Sequence, residues 1–130
     1  MATLTKRILG GSTDGLPIAV TQTAGNTNVT IHTTITGTGS LDEVYIYCQN
    51  NYSQAIIAGL EWGTSQSGVQ ILQSIAPQAG PVLITPGLLL TASATAKTIT
   101  AFVGGLNGSA SPAISGSGLI SFTGFVNRIT

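Results

Sequence analysis

Charge is what this 130-residue sequence has least of: four Lys or Arg and four Asp or Glu make up 6% of the chain, where an ordinary soluble domain carries about 25%. Lys6, Arg7, Lys97 and Arg128 balance Asp14, Asp42, Glu43 and Glu61, and the formal net charge is zero. No basic field exists to neutralise a run of phosphates, which argues against a nucleic-acid binder. The one cysteine, Cys48, cannot close an internal disulfide. The one histidine, His32, has no Cys or His cluster around it in sequence to complete a zinc pattern. With neither staple available, packing and assembly must hold the fold together. Glu, Lys, Arg and Met, the strong helix formers, are nearly absent, and no window of a dozen residues repeats apolar positions at i, i+3, i+4 and i+7. The longest apolar stretches, 55–60 and 81–91, are broken by Gly or Pro and fall well short of the ~18 residues of a membrane helix. Only two apolar residues separate Lys6-Arg7 from Gly10, too few for the core of an export signal. The expectation is a soluble chain made inside the cell.

What the sequence does have is Ser, Thr, Gly and a hydrophobic fraction of 42%, which excludes a disordered tail. Charges are costly to desolvate and are depleted at interface centres, whereas hydroxyls and backbone amides can be paired across a contact. A surface so poor in charge is therefore one that other protein covers, and the chain reads as a subunit of an assembly. The dominant period is two, in residues that suit a pleated surface. In 28–36, Val29, Ile31, Thr33 and Ile35 share one face, and Thr30, His32, Thr34 and Thr36 the other. In 43–49, Val44, Ile46 and Cys48 face one way, and Glu43, Tyr45, Tyr47 and Gln49 the other. With Gly37-Thr-Gly39-Ser-Leu41-Asp42 between them, 28–49 reads as a β-hairpin. Further strands are expected over 17–23, 55–62, 69–75, 81–85, 88–91, 98–103 and 119–126, with turn signals at Asp14-Gly15 and Asn107-Gly108. The fold class is all-β: a single antiparallel β-sandwich, jelly-roll-like, of about eight strands. Residues 1–16 are read as an extended amino-terminal arm and 17–130 as the sandwich domain, with a glycine- and serine-rich loop over 104–118.

No catalytic, cofactor or metal constellation is present. His32 falls among threonines on a polar strand face, and no Gly-x-Ser-x-Gly elbow accompanies it, so a solvated or interface histidine is expected. Asp42 and Glu43 are adjacent on a strand and point to opposite faces, which prevents their acting on one bond. They are expected to blunt a strand end or to meet Lys6, Arg7 or Arg128. No glycine pair matches a phosphate loop. Cys48 alternates with buried positions and reads as an inert core thiol. Tyr45 and Tyr47 share the outer face of their strand, and with Trp62 they could form a platform for a sugar or a protein partner, helped by Asp42, Glu43, Gln49 and Asn50. The alternative is ordinary packing or subunit contact.

The stretches Leu4-Thr-Lys-Arg-Ile-Leu-Gly-Gly-Ser-Thr-Asp-Gly-Leu-Pro-Ile18, Ile31-His-Thr, Gly39-Ser-Leu-Asp-Glu-Val44, Leu60-Glu-Trp-Gly63, Pro86-Gly-Leu-Leu-Leu-Thr91 and Phe125-Val-Asn-Arg-Ile-Thr130 resemble small head decoration, or cement, proteins of tailed bacteriophages. The resemblance spans nearly the whole chain. It implies a β-sandwich that oligomerises, often as a trimer, and binds the major capsid protein on the outside of an assembled head; the implied location is the virion head surface, after synthesis in the host cytoplasm. The residues expected to contact partners are Lys6, Arg7, Asp42, Glu43, Tyr45, Tyr47 and Arg128. The competing expectations are another virion part, such as a tail or fibre module, and a carbohydrate-binding or adhesive sandwich.

Overall fold

A computed structural model of the chain describes residues 2–21, 28–37, 39–62, 70–91, 96–104 and 119–130. The described residues form nine strands and no helix: β1 (Leu4–Ile8), β2 (Ile18–Ala19), β3 (Val29–Thr33), β4 (Leu41–Asn50), β5 (Ile56–Trp62), β6 (Gln70–Ile75), β7 (Ala79–Thr91), β8 (Thr98–Gly104) and β9 (Ile120–Ile129). One sheet has the order β1-β9-β4-β7, with β2 also paired to β9; the other has the order β3-β8-β5-β6. All pairings are antiparallel.

The topology is a long hairpin wrapped around itself. β2 pairs with β9, β3 with β8, β4 with β7 and β5 with β6, and successive rungs fall alternately in the two sheets. The pairings β4–β9 and β5–β8 then close each sheet. That is the jelly-roll wrap, and the expected fold class is the one found.

The wrap explains why 28–49 is not a hairpin. Its two strands, β3 and β4, are successive rungs and so belong to opposite sheets. Alternation set the faces of β4 but could not choose the sheet. The faces of β3 also differ from expectation, because the register with β8 shifts between Thr30 and His32. The bulge turns both Ile31 and His32 inward and leaves Ile35 exposed. The segments 81–85 and 88–91 are one strand, β7, which runs through Pro86 by means of Gly87 at a φ of 85°. That backbone region is open to glycine and costly for other residues. The expected strand over 17–23 is shorter, with only Ile18 and Ala19 in β2 and Gln22 and Thr23 outside the described residues. The loop read over 104–118 is also outside them, apart from Gly104 at the end of β8.

The core lies between the sheets and is mostly aliphatic: Ile18, Ile31, Val44, Ile46, Ile56, Leu60, Ile75, Ile99, Ile120 and Val126 are buried together with Phe122 and Cys48. β4 buries every second residue from Asp42 to Asn50, as a strand with one covered face must. Asn50 is the polar end of that series. Its Nδ2 donates to the carbonyls of Gln54, Ile75 and Ala76 at 3.0, 3.3 and 3.0 Å, and its Oδ1 accepts the Tyr52 amide at 2.8 Å. One buried side chain thus fixes the turn into β5 and the exit of β6.

The amino-terminal segment is extended and exposed, yet it is also part of the sheet. Residues 4–8 pair in register with Ile129 down to Phe125. Beyond β1 the chain dives between the sheets at buried Leu9, and the Gly11 amide donates to the Ile31 carbonyl at 2.8 Å. A Cβ on Gly11 would collide with the Thr30 carbonyl oxygen, so the approach is possible only without a side chain.

Candidate interaction surface

Cross-strand register sorts the expected contact residues into two faces of the five-stranded sheet. Asp42 and Arg128 are opposite one another on the inner face, and they are joined by His32 from the other sheet. Arg128 donates from Nε to Asp42 Oδ1 at 2.7 Å and from its terminal NH2 group to Oδ2 at 2.8 Å, a bidentate fork. His32 Nε2 is 2.8 Å from Asp42 Oδ2, and His32 Nδ1 accepts the Gly10 amide at 3.0 Å. The amide of Gly10 fixes the tautomer: Nδ1 carries the lone pair, so Nε2 carries the hydrogen and donates to the carboxylate. Burial alone raises the Asp42 pKa, but the hydrogen bonds from Arg128 and His32, with the charge of Arg128, outweigh it and hold the group below its ordinary value. Arg128 is shifted up, chiefly by its hydrogen bond to Asp42.

This network corrects three expectations. Asp42 and Arg128 are buried and spent on one another, so they are not surface contacts, although the expected pairing of Asp42 with Arg128 is there. His32 is 3% exposed and not solvated. The bulge in β3 is what sequence alternation could not reveal. Cys48 is buried as expected, and burial pushes its thiol up to about 12.

Lys6, Arg7, Glu43, Tyr45 and Tyr47 remain accessible. Four of them, all but Arg7, share the outer face, which is arranged in rows across the strands. One row is Leu4, Ile129, Leu41 and Thr91; the next is Lys6, Asn127, Glu43 and Leu89; the next is Ile8, Phe125, Tyr45 and Pro86; the last is Thr123, Tyr47 and Leu83. Leu4 is 66% exposed, Ile8 53%, Leu83 41% and Leu89 58%. Within the second row Asn127 Nδ2 donates to Glu43 Oε1 at 2.9 Å. Tyr45 stacks on Phe125 with centroids 4.7 Å apart, and the Lys6 ammonium is 4.4 Å above the Phe125 ring. Glu43 hydrogen-bonds the Tyr45 phenol and is the main reason its pKa is raised.

The expected aromatic platform is therefore not assembled as drawn. Trp62 belongs to β5 in the opposite sheet, where it is half-buried against the core, and Tyr45 takes Phe125 as its ring partner. Asn50 is buried as well, so of the polar residues expected near the platform only Glu43 and Gln49 stand on this face. Sequence reading did not single out Phe125, Asn127, Leu83 or Leu89. The alternation of 119–126, continued to 129, carries the signal for the first two; nothing local marks the others.

All eight charged residues are described, and three of them, Asp42, Glu61 and Arg128, are buried. The surface keeps Lys6, Arg7, Asp14, Glu43 and Lys97, fewer than composition alone indicates. Among the described residues, no group of His, Cys, Asp and Glu is placed to hold a metal ion.

No family model matches the chain, and no curated protein matches it. Solved structures do. The chain is similar to a chain of infectious bursal disease virus Gx strain, with a TM-score of 0.56 and 14% identity over 99% of this chain and 33% of the other. A chain of the T13 viral particle of the same virus gives 0.51 and 12% over 98% and 31%. One from the Gt strain gives 0.50 and 12% over 98% and 32%. This chain thus spans about a third of the length of those it matches. At such identity the likeness is one of fold, and it does not show the tailed-phage head decoration family expected from the sequence.

Proposed function

We propose that the chain is a structural protein of a virus particle, docking on the outside of an assembled shell as a decoration or cement subunit. The observation that carries the reading is the outer face of the five-stranded sheet. It is open, has apolar rows on either side of a single polar row, and bears only Lys6 and Glu43 as charges. A monomer that needed only to stay dissolved would blunt such a face with charge. The occurrence of the same fold in virus-particle structures supports the virion part of the reading, and the sequence resemblance supports the decoration part and a trimer.

The mechanism is mass action. A protein that binds the assembled shell and not the loosened one adds its binding free energy to shell stability, about 2.7 kcal/mol per site at a free concentration one hundred times Kd. Many copies multiply a modest contact. The reading assigns no catalysis: His32 and Asp42 would suit a general base, but they are buried, and Nδ1 is committed to the Gly10 amide.

Co-sedimentation tests the proposal. Purified protein mixed with shells that lack it should pellet with assembled shells in a fixed ratio and should leave unassembled capsid subunits in the supernatant. Equal association with both, or with neither, would remove the cementing role.

A further inference from the structure

We propose that the open edge of β1 is a strand-addition site for an acidic extended segment of a different protein, one carrying apolar, acidic and apolar residues at alternate positions. This rests on the reading that the chain docks on another protein and names what it docks on.

The backbone geometry supplies the site. Thr3 and Thr130 exchange both backbone bonds, at 2.8 and 2.9 Å. In an antiparallel ladder such pairs alternate, so Thr5 and Arg7 also face β9, and the N–H and C=O groups of Leu4, Lys6 and Ile8 point away from it. On that side they meet no strand among the described residues, and all five residues of β1 are exposed. Three donors and three acceptors stand in a row, as strand addition requires.

The other edges differ. β7 carries Pro81 and Pro86, which offer no N–H, and its register against β4 shifts three times. β3 is five residues long, bulged, and capped where Gly11 donates to Ile31. The six residues of β6 hold no charge and would not select among partners. Among the described strands only β1 combines an unbroken run of outward groups with charge, Lys6 on the outer face and Arg7 on the inner. Among the described residues neither is salt-bridged.

Charge also decides against a second copy. The antiparallel register that pairs all three outward residues puts Lys6 opposite Lys6, a like-charge pair that destabilises the ladder. Of the four acids in the sequence only Glu43 has apolar residues two positions to either side, Leu41 and Tyr45. That segment is in β4, paired on both sides by β7 and β9. The occupant therefore comes from another protein. Its acid lies opposite Lys6, its apolar residues lie opposite Leu4 and Ile8, and the residue before the acid, facing Arg7, is acidic too.

The test is an NMR titration of the isotope-labelled full chain. The probe is an end-blocked nine-residue peptide with a central Glu, Asp just before it, Val two positions to either side and Thr elsewhere. Saturable shifts centred on the amides of Leu4, Lys6 and Ile8 are expected. A peptide with Lys at both acidic positions should bind at least tenfold more weakly, and Lys6→Glu with Arg7→Glu should reverse that preference while keeping the spectrum of a folded chain. Methylating the alternate peptide amides that face β1 should abolish binding with the charge intact. No response at millimolar acidic peptide, equal binding of both peptides, or undiminished binding of the methylated one would each overturn the site. Peptide failure with intact shell co-sedimentation condemns the edge alone, and the converse condemns the shell reading alone.

Discussion

At the scale of single residues, the most consequential group is Asp42. It is buried, accepts both arms of the Arg128 fork and takes the His32 hydrogen from the opposite sheet. Removing one partner of a buried pair leaves a charge without compensation, which costs about 3 kcal/mol or more. Asp42→Asn is therefore expected to lower unfolding free energy by about that amount in urea titrations at neutral pH. Because its folded pKa is depressed, the Asp42 contribution is complete above the unfolded value, about 3.9, and disappears as pH falls through the lower folded value. The wild-type advantage over Asp42→Asn should thus shrink below about pH 4; an advantage unchanged down to pH 2 would refute the linkage. Cys48 gives a second expectation. A buried thiol held up at about 12 has almost no thiolate at neutral pH, so a thiol reagent should leave the native chain unlabelled and react fully in guanidinium.

At the scale of elements, the crossing after β1 connects the amino terminus to both sheets. Leu9 fills the core, Gly10 reaches His32 and Gly11 reaches Ile31. Gly11→Ala would set a methyl against the Thr30 carbonyl, a backbone atom with little room to give. A loss of about 1–3 kcal/mol is expected, with faster amide exchange in β3 as its local sign; unaltered exchange there would mean the crossing does not hold β3. This element also shows what the sequence made legible. The alternation from Val44 to Cys48 placed every side chain of that run correctly, because one covered face imposes period two. The pairing of β3 was not legible, since alternation says nothing of which sheet a strand joins, and one extra residue at the bulge moved His32 from the polar face to the interior. The strand at Leu4–Ile8 was hidden for another reason: as an exposed edge it buries nothing and so leaves no apolar period.

At the scale of the whole molecule, scarcity of charge takes on a structural meaning. Three of the eight charges are withdrawn into the interior, and the outer face of one sheet is left with apolar rows flanking one polar row. Composition predicted a covered surface, and the register identifies which face and which edge are open to be covered. Of the residues expected to touch partners, Lys6, Arg7, Glu43, Tyr45 and Tyr47 stay available, while Asp42 and Arg128 hold the sandwich together. The jelly-roll-like sandwich class was readable from turns and strand lengths, but the individual strand pairings were not, because nearly all of them join segments distant in sequence.

The proposed stabilisation of a shell by a chain that binds its assembled form can be read most directly by differential scanning calorimetry of shells lacking the protein. Adding the purified chain should raise the shell's melting temperature in a saturable manner, with a smaller rise for Lys6→Glu, Arg7→Glu at equal concentration. A melting temperature that stays fixed at saturating protein would mean that the chain does not cement the shell.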